Sequence, residues 1–166
     1  DGRSARLTAP SGQAQQGVLA TALADASQAA EEMSVLEAHG TGTALGDPIE
    51  ASSMAAVLLA RRSLGSPLVV GSLKANAGHT EPGAGLAGAL KLLMQLRGAH
   101  VAPNAQLRVL NPHVGASVAR HTACALSVHV AQLRPNGGVG GVSSFGYSGT
   151  IAHVTLYQDR SIETLL

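Results

Sequence analysis

Three short segments rich in glycine and other small residues carry the groups most able to do chemistry. His39 lies in Glu37-Ala38-His39-Gly40-Thr41-Gly42-Thr43, Lys74 and His79 lie in Lys74-Ala75-Asn76-Ala77-Gly78-His79, and Phe145 opens Phe145-Gly146-Tyr147-Ser148-Gly149. Small neighbours let backbone amides and imidazoles come close to a ligand. A neutral imidazole N–H can donate to a developing oxyanion, and a nearby lysine can set a site's electrostatics or orient a partner. Thr41 and Thr43 add hydroxyls suited to an amide-bearing ligand. A single loop histidine often does no more than bond local backbone; two in such loops weigh toward a functional pair.

Other chemistries lack their patterns. None of the seven histidines forms a His-x-x-x-His pair, and the one cysteine excludes CxxC, so no metal site is expected. Asp47 and Glu50 are expected to cap a helix rather than form an acid/base pair. No glycine segment matches a P-loop, and His39-Gly40-Thr41-Gly42 lacks the third glycine of a dinucleotide fingerprint.

The elements that must position these loops alternate helix and strand. Residues 13–30 carry a helical pattern through Val18, Leu19, Leu23 and Ala26, introduced by Pro10-Ser11-Gly12. Val35-Leu36 predicts a short buried strand running into the His39 loop. A helix over 48–62 follows, with Asp47 as N-cap, Pro48 first, Glu50 third, and Arg61 and Arg62 in its last turn. Residues 68–73 predict a strand feeding the Lys74–His79 loop. Residues 83–98 predict a helix, with Leu86, Leu90, Leu93 and Met94 at helical spacing, weakened by roughly 1 kcal/mol at each of Gly85 and Gly88. Leu126, Val128 and Val130 alternate as a strand, Asn136-Gly137-Gly138 looks like a hairpin turn, and Val139 to Tyr157 carries one or two strands around the third loop. The pattern is α/β. Ligands of open α/β sheets bind at the carboxyl ends of the strands, where these loops converge.

Composition bounds the partners. The chain has 166 residues, a net charge of +1 and 2% aromatics, with no basic run, so nucleic-acid binding is not expected. No apolar run is long enough to cross a membrane. Charged residues are only 13%, against roughly 25% in an average domain; either packing is tight, or another lobe or subunit covers part of the surface. The single cysteine points to a reducing, cytoplasmic setting. Asp1-Gly2-Arg3-Ser4-Ala5 is no signal peptide and reads as a cut in mid-sequence.

The motifs also carry a resemblance. Residues 37–51, Glu-Ala-His-Gly-Thr-Gly-Thr-Ala-Leu-Gly-Asp-Pro-Ile-Glu-Ala, resemble the first histidine signature of type I ketosynthases (β-ketoacyl synthases). Residues 71–81, Gly-Ser-Leu-Lys-Ala-Asn-Ala-Gly-His-Thr-Glu, resemble the second, and residues 141–150, Gly-Val-Ser-Ser-Phe-Gly-Tyr-Ser-Gly-Thr, the glycine-rich gating loop. The three stand in the family's order at about its spacing, and the likeness is to the polyketide synthase type. Asp1-Gly2-Arg3-Ser4 and Pro10-Ser11-Gly12 also look like the family's segment after its mid-domain strand.

The resemblance implies a thiolase-like fold, with residues 1–166 as the C-terminal lobe. It implies a decarboxylative Claisen condensation between an acyl thioester and malonyl-acyl carrier protein. His39 and His79 would hold the malonyl thioester carbonyl, Lys74 would organise the site's charge, and Thr41 and Thr43 would contact the carrier's phosphopantetheine arm. Phe145, Gly146 and Tyr147 would form the gate. No directly bound cofactor is implied. The implied partners are the N-terminal lobe, the acyl carrier protein and a second copy. The family's nucleophilic cysteine belongs to an elbow upstream of the first histidine and is not in this chain. Thr122-Ala123-Cys124-Ala125-Leu126-Ser127 echoes that elbow after both histidines, so Cys124 is taken as structural. Ile151 stands where the family has asparagine, which removes a loop-fixing amide. The alternatives are a non-condensing lobe that binds carrier protein or dimerises, and an unrelated histidine-dependent hydrolase. Retention of His39, Lys74 and His79 together favours the enzyme.

Overall fold

The computed structural model describes residues 9–121, 123–133 and 138–158. A five-stranded sheet forms its centre, in the order β4-β2-β1-β6-β7. Strands β1 (Met33–Glu37), β2 (Leu68–Gly71), β4 (Cys124–Leu126) and β6 (Val139–Phe145) run parallel, and β7 (Ile151–Tyr157) returns antiparallel to β6. Strands β3 (His100–Val101) and β5 (Ala131–Gln132) pair separately. The inner parallel strands are apolar on both faces because both faces are covered.

Helix α1 (Gly12–Asp25) and helix α2 (Gly46–Met54), which continues as a π-helical stretch over Ala55–Leu59, cover one face. Leu19, Leu23, Met54, Leu58 and Leu59 pack there on Met33, Leu36, Leu68, Val70 and Val139. Helix α4 (Ala84–Gly98) covers the other face, where Leu92 and Leu96 meet Val35 and Val142. A register irregularity between Met33 and Val35 lets both Met33 and Leu36 face the first layer while Val35 faces the second. Gly140 lets α4 sit down on β6: a Cβ there would lie 2.6 Å from Leu92 Cδ1. One turn of helix, α3 (Lys74–Ala77), and α5 (Pro112–Val118) complete the elements.

Several expectations are corrected. Helix α1 stops at Asp25, short of residue 30, because Ser27 takes a positive φ and the chain turns. The N-cap of α2 is Leu45; Asp47 lies inside the first turn, and its carboxylate accepts from Gly42 N at 3.1 Å. Arg62 is not a surface cation at a helix end. It is buried and donates to the carbonyls of Leu58, Ser66, Met33 and Ala30, so it pins the end of α2 to the start of β1. Lys74–Ala77 is helical, not loop, and β2 ends at Gly71. The Leu126–Val130 strand splits into β4 and β5, leaving Val128 and Val130 exposed between them. On α4 the buried side is Ala84, Gly88, Leu92, Gln95 and Leu96, while Leu86, Leu90 and Met94 are 75%, 62% and 72% exposed. The residues that cover the sheet are therefore not the leucines whose spacing stands out. The turn expected at Asn136-Gly137-Gly138 and the Asp1–Ser4 segment lie outside the described residues, the turn through its first two positions.

Candidate active site

The ends of β1, β2 and β6 lie side by side, and each feeds one of the three loops. His39 follows β1, Lys74 and His79 follow β2, and Phe145 ends β6. The His39 and His79 rings sit edge to face, centroids 5.9 Å apart, and the Phe145 ring lies 5.6 Å from that of His39. Both histidines, Thr41, Thr43, Phe145, Gly146, Tyr147 and Ile151 line one cavity of about 450 Å³. Across it, Pro10, Ser11 and Gln15 close the wall at the start of α1.

The hydrogen bonds assign each ring its tautomer. Phe145 N donates to His39 Nδ1 at 3.3 Å, and Glu81 N donates to His79 Nδ1 at 3.0 Å. A ring nitrogen that accepts from an amide carries no proton, so each neutral imidazole has its proton on Nε2. Burial pushes the His39 pKa down to about 4, helped by the positive Lys74 and by His79. The site thus offers two Nε2–H donors from two different loops.

The His39 loop is held from behind by charge. Glu50 is buried, and its two carboxylate oxygens accept from His39 N at 2.7 Å and Gly40 N at 2.9 Å. Burial raises its pKa to about 7 against the lowering effect of those two amides. Gly40 takes φ +46°, and a Cβ there would lie 2.8 Å from Ser72 Oγ, so only glycine lets the loop press on the end of β2. Lys74 does not line the cavity. Its Nζ donates to the His39 carbonyl, among the negative field of Glu50, Glu37 and Asp47, so it acts on His39 rather than on a ligand. Thr43 lines the cavity, but its hydroxyl already accepts from Gly46 N at 3.1 Å and lies 3.3 Å from Thr41 Oγ1.

The third loop is closed by backbone. Gly146 N donates to the Thr150 carbonyl at 2.6 Å, and Ile151 pairs with Phe145 at the mouth of the β6–β7 hairpin. The turn thus holds without the asparagine amide, and Ile151 adds an apolar wall to the cavity. Cys124 sits on edge strand β4, in a separate apolar cavity of about 140 Å³ under α2 and α5. Burial raises its pKa, the opposite of what an activated thiolate needs. Among the described residues, no group of three or more His, Cys, Asp or Glu side chains could hold a metal ion, and no helix is long and apolar enough to cross a membrane.

Residues 1–108 match the family model described as "Beta-ketoacyl synthase, C-terminal domain". The chain belongs to the β-ketoacyl synthase family. Over 163 residues it is 47% identical to the spectinabilin polyketide synthase system protein NorA' of Streptomyces orinoci, covering 95% of this chain and 4% of that protein. Over 158 residues it is 45% identical to the mycoketide-CoA synthase of Mycobacterium tuberculosis, covering 94% of this chain and 4% of that one. Among solved structures it matches the oxazolomycin ketosynthase domain of Streptomyces albus JA3453 with a TM-score of 0.85 and 32% identity, over 95% of this chain and 28% of that one. A ketosynthase from module 6 of the bacillaene synthase of Bacillus subtilis matches at 0.85 and 29% identity, over 96% and 29%. The chain therefore spans under a third of the ketosynthase structures it matches and only 4% of each of these two synthases. It is the C-terminal part of a ketosynthase domain of the polyketide synthase type, and its α/β architecture is the thiolase-like one.

Two residues of the ketosynthase site carry more than their sequence suggests. Glu50 reads as a helix cap, and Glu37 as the first residue of the His39 loop, directly after the apolar Val35-Leu36 strand, whereas the structure makes it the last residue of β1. The second signal was usable: a carboxylate ending a buried strand must find partners. Nothing in the spacing announces that Glu50 reaches back eleven residues to the His39 amide.

Proposed function

We propose that this chain supplies the decarboxylating half of a ketosynthase active site, in polyketide chain extension. A malonyl thioester on acyl carrier protein loses carbon dioxide, and the electron pair of the broken C–C bond becomes an enolate. The enolate carbon attacks an acyl thioester held on a cysteine of the N-terminal lobe. A C–C bond forms, the cysteine leaves as thiolate, and the β-ketoacyl product stays on the carrier. The observation that carries this reading is the paired tautomer. His39 and His79 each present an Nε2–H to the same cavity, and two donors aimed at one thioester oxygen stabilise an enolate more than the ground-state carbonyl.

Lys74 serves as a positioning cation behind His39. Thr41 and Thr43 flank the route of the phosphopantetheine arm, with Thr43 also fixing its own loop. Phe145, Gly146 and Tyr147 form the gate, and the Phe145 amide ties gate position to the His39 ring. No cofactor is required beyond the carrier's own arm. Leu86, Leu90 and Met94 on α4 form an apolar stripe suited to the N-terminal lobe, and the complete domain pairs with a second copy. The reaction belongs in the cytoplasm. The non-condensing alternative gives no role to two imidazoles that line one cavity.

The test is a condensation assay on the complete domain containing this chain, given an acyl thioester and malonyl-carrier protein. Product formation lost in both His39→Ala and His79→Ala supports the reading. No product and no carbon dioxide release, with neither substitution having an effect, would move the assignment to a carrier-binding lobe.

A further inference from the structure

The two histidines come from different loops, so their spacing depends on what locks one segment to the other. Glu37 ends β1 two residues before His39, and its side chain is 3% exposed. Its Oε2 accepts from Lys91 Nζ at 2.6 Å, and its Oε1 accepts from the backbone amide of Leu73, the residue before Lys74. Lys91, 10% exposed, lies in the middle of α4, the helix that begins at Ala84 just after His79. One carboxylate thus touches the segments that carry His39, Lys74 and His79.

The surroundings are shaped to the pair. A Cβ on Gly88 would lie 3.2 Å from Glu37 Cγ, and one on Gly71 would lie 3.3 Å from Lys91 Nζ, so helix and strand are bare where the two side chains pass. Apolar side chains of equal volume could hold α4 on the sheet at least as firmly, since a buried ion pair loses much of its attraction to desolvation. What the pair adds is direction: a given turn of α4 is fixed to a given residue of β1.

We propose that Glu37 and Lys91 are positioning residues for the condensation, and that their ion pair sets the register between the His39 and His79 donors. The proposal rests on the reading of those histidines given above. A displacement of about 1 Å at a catalytic group costs on the order of 100-fold in rate.

The test uses the complete ketosynthase domain with malonyl-carrier protein. Carbon dioxide release and acyl loading of the nucleophile are measured separately, per folded active site. Glu37→Gln/Lys91→Met removes both charges, keeps the volume and leaves an oxygen for the Leu73 amide. The expected result is a fall in kcat for carbon dioxide release of about 10- to 100-fold. KM for malonyl-carrier protein and the loading rate should stay within about 3-fold, a split that a purely structural role would not produce. Lys91→Arg, which keeps the charge on a longer head, should fall between wild type and the double variant, and it decides the matter if the double variant does not fold. A folded double variant, or Lys91→Arg in its place, releasing carbon dioxide at the wild-type rate while His39→Ala has lost it would overturn this proposal alone. Full activity in His39→Ala would overturn the histidine reading beneath it.

Discussion

Glu50→Gln separates the hold on the His39 loop from the stability of the fold. The Glu50 carboxylate accepts from His39 N at 2.7 Å and from Gly40 N at 2.9 Å, one amide per oxygen. Glutamine keeps one oxygen and turns an NH2 toward the other amide, so one charge-assisted hydrogen bond is lost and two donors face each other. That costs about 2–3 kcal/mol of loop positioning. Spent wholly on the reactive geometry, it is a fall of about 30- to 150-fold in carbon dioxide release.

Stability moves differently. Burial raises the Glu50 pKa from 4.5 to about 7, so the folded state holds this proton more tightly than the unfolded chain. The contribution is fully present below pH 4.5 and is lost as pH rises through 7, amounting to about 3 kcal/mol. Glutamine cannot ionise, so the variant should lose that slope between pH 4.5 and 7 and be no less stable than wild type at about pH 8. The assay pairs denaturant melts at about pH 5 and 8 with carbon dioxide release at about pH 7.5. An unchanged rate in a folded variant would refute the claim that Glu50 holds the His39 loop. A rate loss matched by an equal stability loss at the alkaline pH would refute the separation.

Other outcomes follow from the same contacts. His39, with its pKa lowered from 6.5 to about 4, should add its own acid limb to the pH–kcat profile near about pH 4 rather than near 6.5, read most cleanly in Glu50→Gln, where the neighbouring carboxyl no longer titrates. Its contribution to stability is present above pH 6.5 and lost as pH falls toward 4, and a pH–kcat profile compared with pH-dependent melts checks both. Arg62→Met strips donors from the carbonyls of Met33, Leu58, Ser66 and Ala30 and should cost about 2–4 kcal/mol in a denaturant melt. Leu90→Glu on the outer side of α4 should leave this chain's own melt nearly unchanged and lower that of the complete domain by at least about 2 kcal/mol; equal melts would deny that another lobe covers the stripe.

The architecture was legible because periodicity and punctuation agreed: each apolar run ended in a small-residue loop, which is how parallel strands deliver a site to one edge. Both histidines, Lys74 and Phe145 stood out because loops of glycine and alanine leave few other reasons for such side chains, and the structure brings the two histidines and Phe145 to one cavity. The positions the structure revised share a cause, in that the partner which wins is one that helix or strand periodicity does not encode. Asp47 and Glu50 have ideal cap spacing, yet a nearby loop of unpaired amides outcompetes the helix end for their oxygens. Arg62 suits a helix C-terminus, yet four carbonyls enclose it. Leu86, Leu90 and Met94 recur every four residues on α4, yet Gly88, Leu92 and Leu96 recur at the same spacing and are the side that meets the sheet. Period alone shows that a helix has an apolar face, not which neighbour that face serves.

At the centre of the proposed mechanism, His39 and His79 each accept a backbone amide on Nδ1, which leaves Nε2 to carry the proton. Nitrogen-15 NMR of the complete domain with labelled histidine, with each ring assigned through His39→Ala and His79→Ala, measures this directly near neutral pH. The expected spectrum shows protonated Nε2 and bare, hydrogen-bonded Nδ1 for both rings. A proton on Nδ1 of either ring, whether as the other tautomer or as imidazolium, would contradict it.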